Sequence, residues 1–184
     1  MKGLAVFCGS RNGASDVYIN EARKLGKELA NRNTTLIYGG SSAGIMGAVA
    51  DSVLEAGGRV IGVMPQFLDS RERSHKNLTE LIIVESMHER KAKMSELADG
   101  FIALPGGPGT LEEFFEIFTW AQVGLHKKPI GLLNINHYFD PIVALFNHMA
   151  DEHFMDEKHR SLALVDEDAR GLLDQFLHYQ SAIL

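Results

Sequence analysis

Cysteine is nearly absent from this 184-residue chain: Cys8 is its only one. An intrachain disulfide and a cysteine-based zinc site are therefore excluded. Cys8 closes an apolar run and reads as a small buried hydrophobe. Long hydrophobic runs are missing too, since no stretch approaches the roughly 18 apolar residues that a membrane span needs. The apolar run from Leu4 to Cys8 is too short for a signal peptide. A cytoplasmic protein without a membrane partner is the expectation. Positive charge is in deficit, with 18 Lys and Arg against 24 Asp and Glu, a net charge of −6. That argues against a nucleic-acid polymer as partner, which needs a basic patch to displace counterions. A small anion remains open, because a few oriented backbone N–H groups and one or two cations can hold it. The histidines form no metal set: His148 and His153 stand at an unsuitable spacing for two ligands on one helix face. No metal is expected.

What is present is a regular alternation. Short apolar segments at 4–8, 34–38, 59–64, 81–84, 100–104, 129–133 and 162–165 read as strands. Between them lie helical patterns. Ala22, Leu25, Leu29 and Ala30 share one face, and 43–56 is closed by Gly57-Gly58. Further helices are expected over 86–98, 110–123, 138–150 and 166–179, the third entered through Asp140-Pro141. The polar stretch 66–79 has no period and reads as a functional or mobile loop. Alternation of this kind predicts a Rossmann-like α/β fold: a doubly wound parallel sheet in a three-layer α/β/α arrangement. The length and the 45% hydrophobic content suit one domain over 1–184.

Ligands of such sheets bind beyond the carboxyl ends of the strands. Three strand ends run into glycine-rich turns that lead towards helices: Cys8-Gly9-Ser10, Tyr38-Gly39-Gly40 continuing to Gly44, and Leu104-Pro105-Gly106-Gly107-Pro108-Gly109-Thr110. Helix N-termini offer free N–H groups and a partial positive charge, which suits phosphate. None of the turns matches G-x-G-x-x-G or a Walker A loop, so a monophosphate fits better than a dinucleotide or triphosphate. The competing reading of any one turn is a tight strand-to-helix connection with no ligand.

Two charged residues stand out. Ser86 and Glu89 form a capping box, and Met87, Met94, Leu97 and Ala98 then make one apolar stripe. Arg90 falls inside that stripe, with Lys91 at its edge. A guanidinium there either finds an anionic or polar partner or snorkels to the surface. Thr110 and Glu113 also score as a capping box, so Glu113 either caps its own helix or places a carboxylate beside the phosphate pocket.

The segment from Pro105 to Glu113 matches the pattern P-G-G-x-G-T-x-x-E, with Met87-His88-Glu89-Arg90-Lys91 upstream. Phe7-Cys8-Gly9-Ser10, Tyr38-Gly39-Gly40, Gly44-Ile45-Met46-Gly47 and Thr119-Trp120-Ala121-Gln122 accompany them. From about residue 4 to about residue 155 the chain resembles the Lonely Guy family of cytokinin riboside 5′-monophosphate phosphoribohydrolases, many of which have been labelled lysine decarboxylases. The resemblance implies a Rossmann-like homodimer that cleaves a nucleoside 5′-monophosphate to free base and ribose 5-phosphate, with no metal or other cofactor. It implies Arg90 and Glu113 as the catalytic pair. It implies Glu72, Lys91, Gly107, Pro108, Gly109, Thr110, Leu111, Glu112 and Thr119 as substrate contacts. Gly9, Ser10, Gly39, Gly40, Gly44 and Gly106 belong to the phosphate and nucleotide loops. Pro108 and Ser41-Ser42-Ala43 depart from the family pattern and bear on loop geometry and base preference.

A carboxylate near the anomeric carbon stabilises an oxocarbenium-like transition state and orients water, the role expected of Glu113. A cation near the base or phosphate is the role expected of Arg90. Two other readings compete. A non-catalytic nucleotide-binding protein would use the same turns without needing Glu113. A pyridoxal-phosphate decarboxylase needs a Schiff-base lysine, and none stands out at a glycine turn. Trp120 falls opposite Leu111, Phe114, Phe115 and Phe118 on its helix, and a second apolar face suggests a subunit contact.

Overall fold

The computed structural model of the protein describes residues 1–69 and 74–181. Burial on both faces makes its central strands. β1 (Gly3–Phe7), β5 (Phe101–Ala103) and β6 (Ile130–Leu133) are buried along their whole length. Continuous apolar runs of this kind suit the inner positions of a parallel sheet. With β2 (Thr35–Tyr38), β3 (Val60–Pro65), β4 (Glu80–Val84) and β7 (Ala163–Asp166) they form a seven-stranded sheet of order β4-β3-β2-β1-β5-β6-β7. Every pairing is parallel, and Ala5 of β1 lies between Ile37 of β2 and Phe101 of β5. The chain winds outward from β1 to β4, then returns to place β5 on the other side of β1. That reversal puts the topological switch point between β1 and β5.

Alternate residues of β1 feed two cores. Leu4 and Val6 meet α1 (Val17–Asn31), α2 (Gly44–Glu55) and α8 (Ala169–His178) through Leu25, Val49 and Leu172. Ala5 and Phe7 meet α4 (Met87–Leu97), α5 (Pro108–Gln122) and α6 (Asp140–Asp151) through Met94, Phe114 and Phe146. The expected three-layer Rossmann-like α/β arrangement is the one observed.

The differences are local. The stretch read as a plain loop starts with a one-turn helix, α3 (Gln66–Asp69). Another single turn, α7 (Glu157–Arg160), precedes β7, and a 3₁₀ turn (Ile135–His137) precedes α6. The last helix begins three residues later than its periodicity suggested, because the Asp168 side chain accepts the Gly171 N–H and caps it there. α5 starts earlier, at Pro108, with Gly107 as its N-cap. Proline presets the first helical φ and lacks the N–H that would be orphaned there. The expected Thr110–Glu113 capping box is thereby corrected: Thr110 takes the third helical position and Glu113 lies beyond the capping turn. No helix among the described residues is long and apolar enough to cross a membrane.

Candidate active site at the switch point

The turns after β1 and β5 lie side by side. Leu104 donates its N–H to the Phe7 carbonyl at 2.9 Å, and Gly9 donates to the Pro105 carbonyl at 3.3 Å. The β2–α2 turn closes over them, with Met46 N–H donated to the Gly9 carbonyl at 3.3 Å. Gly44 has φ +59, and any Cβ on it would run into the backbone of Ser10. A left-handed residue without a side chain is needed there.

At the start of α5 the Gly107 carbonyl accepts the Thr110 and Leu111 N–H groups. The N–H groups of Gly107 and Gly109 find no acceptor among the described residues. A Cβ on either glycine would meet open space. Two free amides thus stand at the positive end of a 15-residue helix.

α4 supplies the cation. The Ser86 side chain accepts the Glu89 N–H at 3.2 Å, and the Glu89 carboxylate accepts the Glu85 N–H at 2.8 Å. This cap fixes where the helix begins and turns Arg90, Lys91 and Met94 inward. Arg90 does not snorkel; it is only 6% exposed. Its guanidinium lies where a Cβ on Gly39 would stand. Its Nη2 is 3.8 Å from Glu113 Oε1, and its Nε is buried without a partner among the described residues. A buried guanidinium with one long ionic contact still has donors for a second anion.

Glu113 is buried beside it. Burial drives its pKa up from 4.5 to about 7, an effect that the charges of Glu112 and Glu116 reinforce and those of Arg90 and Lys91 oppose. Near neutral pH this carboxyl can give or take a proton. The pair faces a cavity of about 220 Å³ whose lining includes Cys8, Gly9, Ser10, Met46, Met87, Gly107, Gly109, Thr110 and Glu112. Burial, and then the charge of Glu113, push the Cys8 thiol far up, so it stays protonated. An adjoining cavity of about 300 Å³ shares Gly9, Ser10 and Gly107 and is walled by Tyr18 and Tyr138. A cation, a proton-exchanging carboxyl and free amides around one cavity can hold a phosphorylated sugar and act on it.

Residues 46–176 match the family model described as possible lysine decarboxylase. A cytokinin riboside 5′-monophosphate phosphoribohydrolase of Rhodococcoides fascians is 45% identical over 94% of this chain and 87% of its own length. The enzyme of the same name, LOG, from Oryza sativa subsp. japonica is 45% identical over 96% of this chain and 73% of its own. The chain belongs to the Lonely Guy family. Among solved structures, the molybdenum cofactor carrier protein of Chlamydomonas reinhardtii superimposes with a TM-score of 0.74 at 22% identity, covering 97% of this chain and 99% of that one. The molybdenum cofactor binding protein of Rippkaea orientalis gives 0.73 at 18% identity, over 97% of each chain. These two likenesses concern the fold alone.

The residues expected from the Lonely Guy pattern do not all gather at the cavity. Arg90, Glu113, Glu112, Thr110, Gly109, Gly107, Gly9 and Ser10 line it. Pro108 opens α5, and Gly106 lines the adjoining cavity. Gly39 makes room for Arg90, and the Gly40 carbonyl accepts the His75 N–H at 2.9 Å. Lys91 is buried but committed: its ammonium donates to Glu112 at 2.6 Å and to Glu116 at 3.1 Å. Burial alone would lower its pKa, and those two carboxylates raise it above the ordinary lysine value instead. Leu111 packs on the core, and Thr119 is exposed with its hydroxyl on the Phe115 carbonyl. Glu72 lies outside the described residues. Trp120 is half-buried and packs on the core. Met46, Met87 and Cys8 also line the cavity, although their sequence pattern marks them only as apolar packing or motif positions. Met87 belonged to the same apolar stripe as Arg90, so a partner for Arg90 implied a neighbouring wall.

Proposed function

We propose that this member of the Lonely Guy family hydrolyses the N-glycosidic bond of a nucleoside 5′-monophosphate, releasing free base and ribose 5-phosphate. One observation carries the reading: buried Arg90 and Glu113 face a common cavity, 3.8 Å apart, beside the amides of Gly107 and Gly109, which have no acceptor among the described residues. The names of the relatives described above support the same reaction.

In this mechanism the amides and Arg90 hold the phosphate, and the ribose lies against Glu113. The C1′–N bond breaks and its electron pair leaves on the base. Positive charge grows at C1′ beside the ionised carboxylate, which stabilises it. A water oxygen forms the new C1′–O bond. Its proton passes to Glu113, and the base nitrogen takes up one proton as Glu113 ionises again. Among the described residues the other carboxylate at the cavity, Glu112, is tied to Lys91, so the two-carboxylate sugar glycosidase scheme is not carried over. No metal or cofactor enters these steps. The working unit is a single domain, cytoplasmic and homodimeric. Exposed Val123 and Leu125, directly after α5, support a subunit contact.

A Schiff-base decarboxylase would need an unprotonated lysine at the cofactor. Lys91, nearest the pair in sequence, is held protonated by two carboxylates. Incubation with a panel of nucleoside 5′-monophosphates, followed by chromatography for free base, tests the proposal. AMP and an N6-substituted, cytokinin-type analogue belong in the panel side by side. Release of no base from any of them refutes the reading and leaves a binding protein.

A further inference from the structure

The peptide joining Gly106 to Gly107 has little intrinsic preference for one orientation, because neither residue carries a Cβ. It is nevertheless pinned from outside. The Tyr138 hydroxyl donates to the Gly106 carbonyl at 2.6 Å, across 32 residues of sequence. The peptide is trans, so the Gly107 N–H points opposite to that carbonyl. Tyr138 and Gly106 line the adjoining cavity and take no part in lining the Arg90–Glu113 cavity, whereas Gly107 lines both. Drawing the carbonyl towards Tyr138 therefore turns the Gly107 N–H to the other side. That N–H has no acceptor among the described residues.

Tyr138 is itself held in place. Asn136 and His137, directly before it, adopt φ +51 and +58. Two consecutive non-glycine residues in the left-handed region are strained and persist only where their surroundings enforce it. Buried Asn134 does so from both ends: its Oδ1 accepts the Phe139 N–H at 2.7 Å, and its Nδ2 donates to Asp140 at 2.7 Å. The Tyr18 ring meets the Tyr138 ring edge-on, with centroids 6.0 Å apart. A strained turn, bracketed by specific bonds, thus delivers one hydroxyl to the loop before α5.

We propose that Tyr138 is a positioning residue, whose hydroxyl orients the Gly106–Gly107 peptide so that the Gly107 N–H grips the 5′-phosphate of the substrate. The identity of the anion rests on the phosphoribohydrolase reading, but the binding step needs no turnover. Tyr138→Phe removes one oxygen and keeps the ring. Calorimetric titration with ribose 5-phosphate should show its Kd raised about tenfold, the scale of a lost hydrogen bond to a charged group. KM for AMP should rise by a similar factor, with any fall in kcat smaller. Tyr138→Leu should weaken ribose 5-phosphate no further than Tyr138→Phe. A folded Tyr138→Phe protein with unchanged affinity for ribose 5-phosphate overturns the proposal, as does a loss seen only with Tyr138→Leu, which would mark ring packing. A wild-type protein that binds ribose 5-phosphate but cleaves no nucleotide would end the proposed activity, while the Kd ratio of the two proteins would still decide the role of Tyr138.

Discussion

Glu113→Gln should remove a pH dependence of stability that the buried carboxyl imposes. In the folded protein its pKa is about 7, against an ordinary 4.5. Between those values the folded state holds a proton that the unfolded state has released. Stability therefore falls as pH rises through this window, the reverse of a salt-bridged carboxylate with a depressed pKa. At 1.36 kcal/mol per pH unit the gap corresponds to about 3 kcal/mol, fully lost by about pH 8. Glutamine keeps the shape and cannot ionise. Titrating groups that are not coupled to Glu113 cancel when the variant is compared with the wild type. Urea unfolding of both proteins at intervals from pH 4.5 to 8 should show the difference moving by about 3 kcal/mol in favour of the variant. In thermal scans that is roughly 6–12 °C for a chain of this size. Turnover of AMP should fall on the order of 10²-fold or more in the same variant. Parallel stability curves would refute the reasoning, because they would mean that Glu113 ionises as freely in the folded protein as in the unfolded chain.

Arg90→Ala should lower turnover on the order of 10²-fold or more and shift the acid limb of the remaining activity to higher pH, since Arg90 opposes the rise in the Glu113 pKa. Gly39→Ala puts a methyl where the Arg90 guanidinium and the Met46 side chain stand. Both are ends of flexible side chains, so the protein should still fold while kcat/KM drops about tenfold or more. Lys91→Met frees Glu112 and Glu116 from their shared ammonium; a stability loss of about 1 kcal/mol is expected by urea unfolding, with the acid limb of turnover again moved to higher pH.

The readable part of the fold came from hydrophobic pattern. Segments buried on both faces, such as 100–104 and 129–133, are apolar throughout, and they sit in the sheet as strands β5 and β6. The one-turn helices α3 and α7 and the 3₁₀ turn at Ile135–His137 escaped this reading. A single turn is too short to show a period. The start of α5 is masked in the sequence because Thr110 and Glu113 imitate a capping box, while the actual cap, Gly107, has no side chain to announce itself.

Local pattern and chain order, by themselves, determined the Rossmann-like layers, the glycine turns and the misfit of Arg90 in an apolar stripe, since these depend only on which residues recur at which spacing. Tertiary structure decided which of the marked residues meet. It set Arg90 against Glu113 and bound Lys91 to Glu112 and Glu116. It left Thr119 on the surface and brought Tyr138 to the Gly106 carbonyl. The reason is that the sheet places β1 beside β5, joining turns far apart in sequence, and that burial, which raises the Glu113 pKa, exists only once those turns have closed on one another.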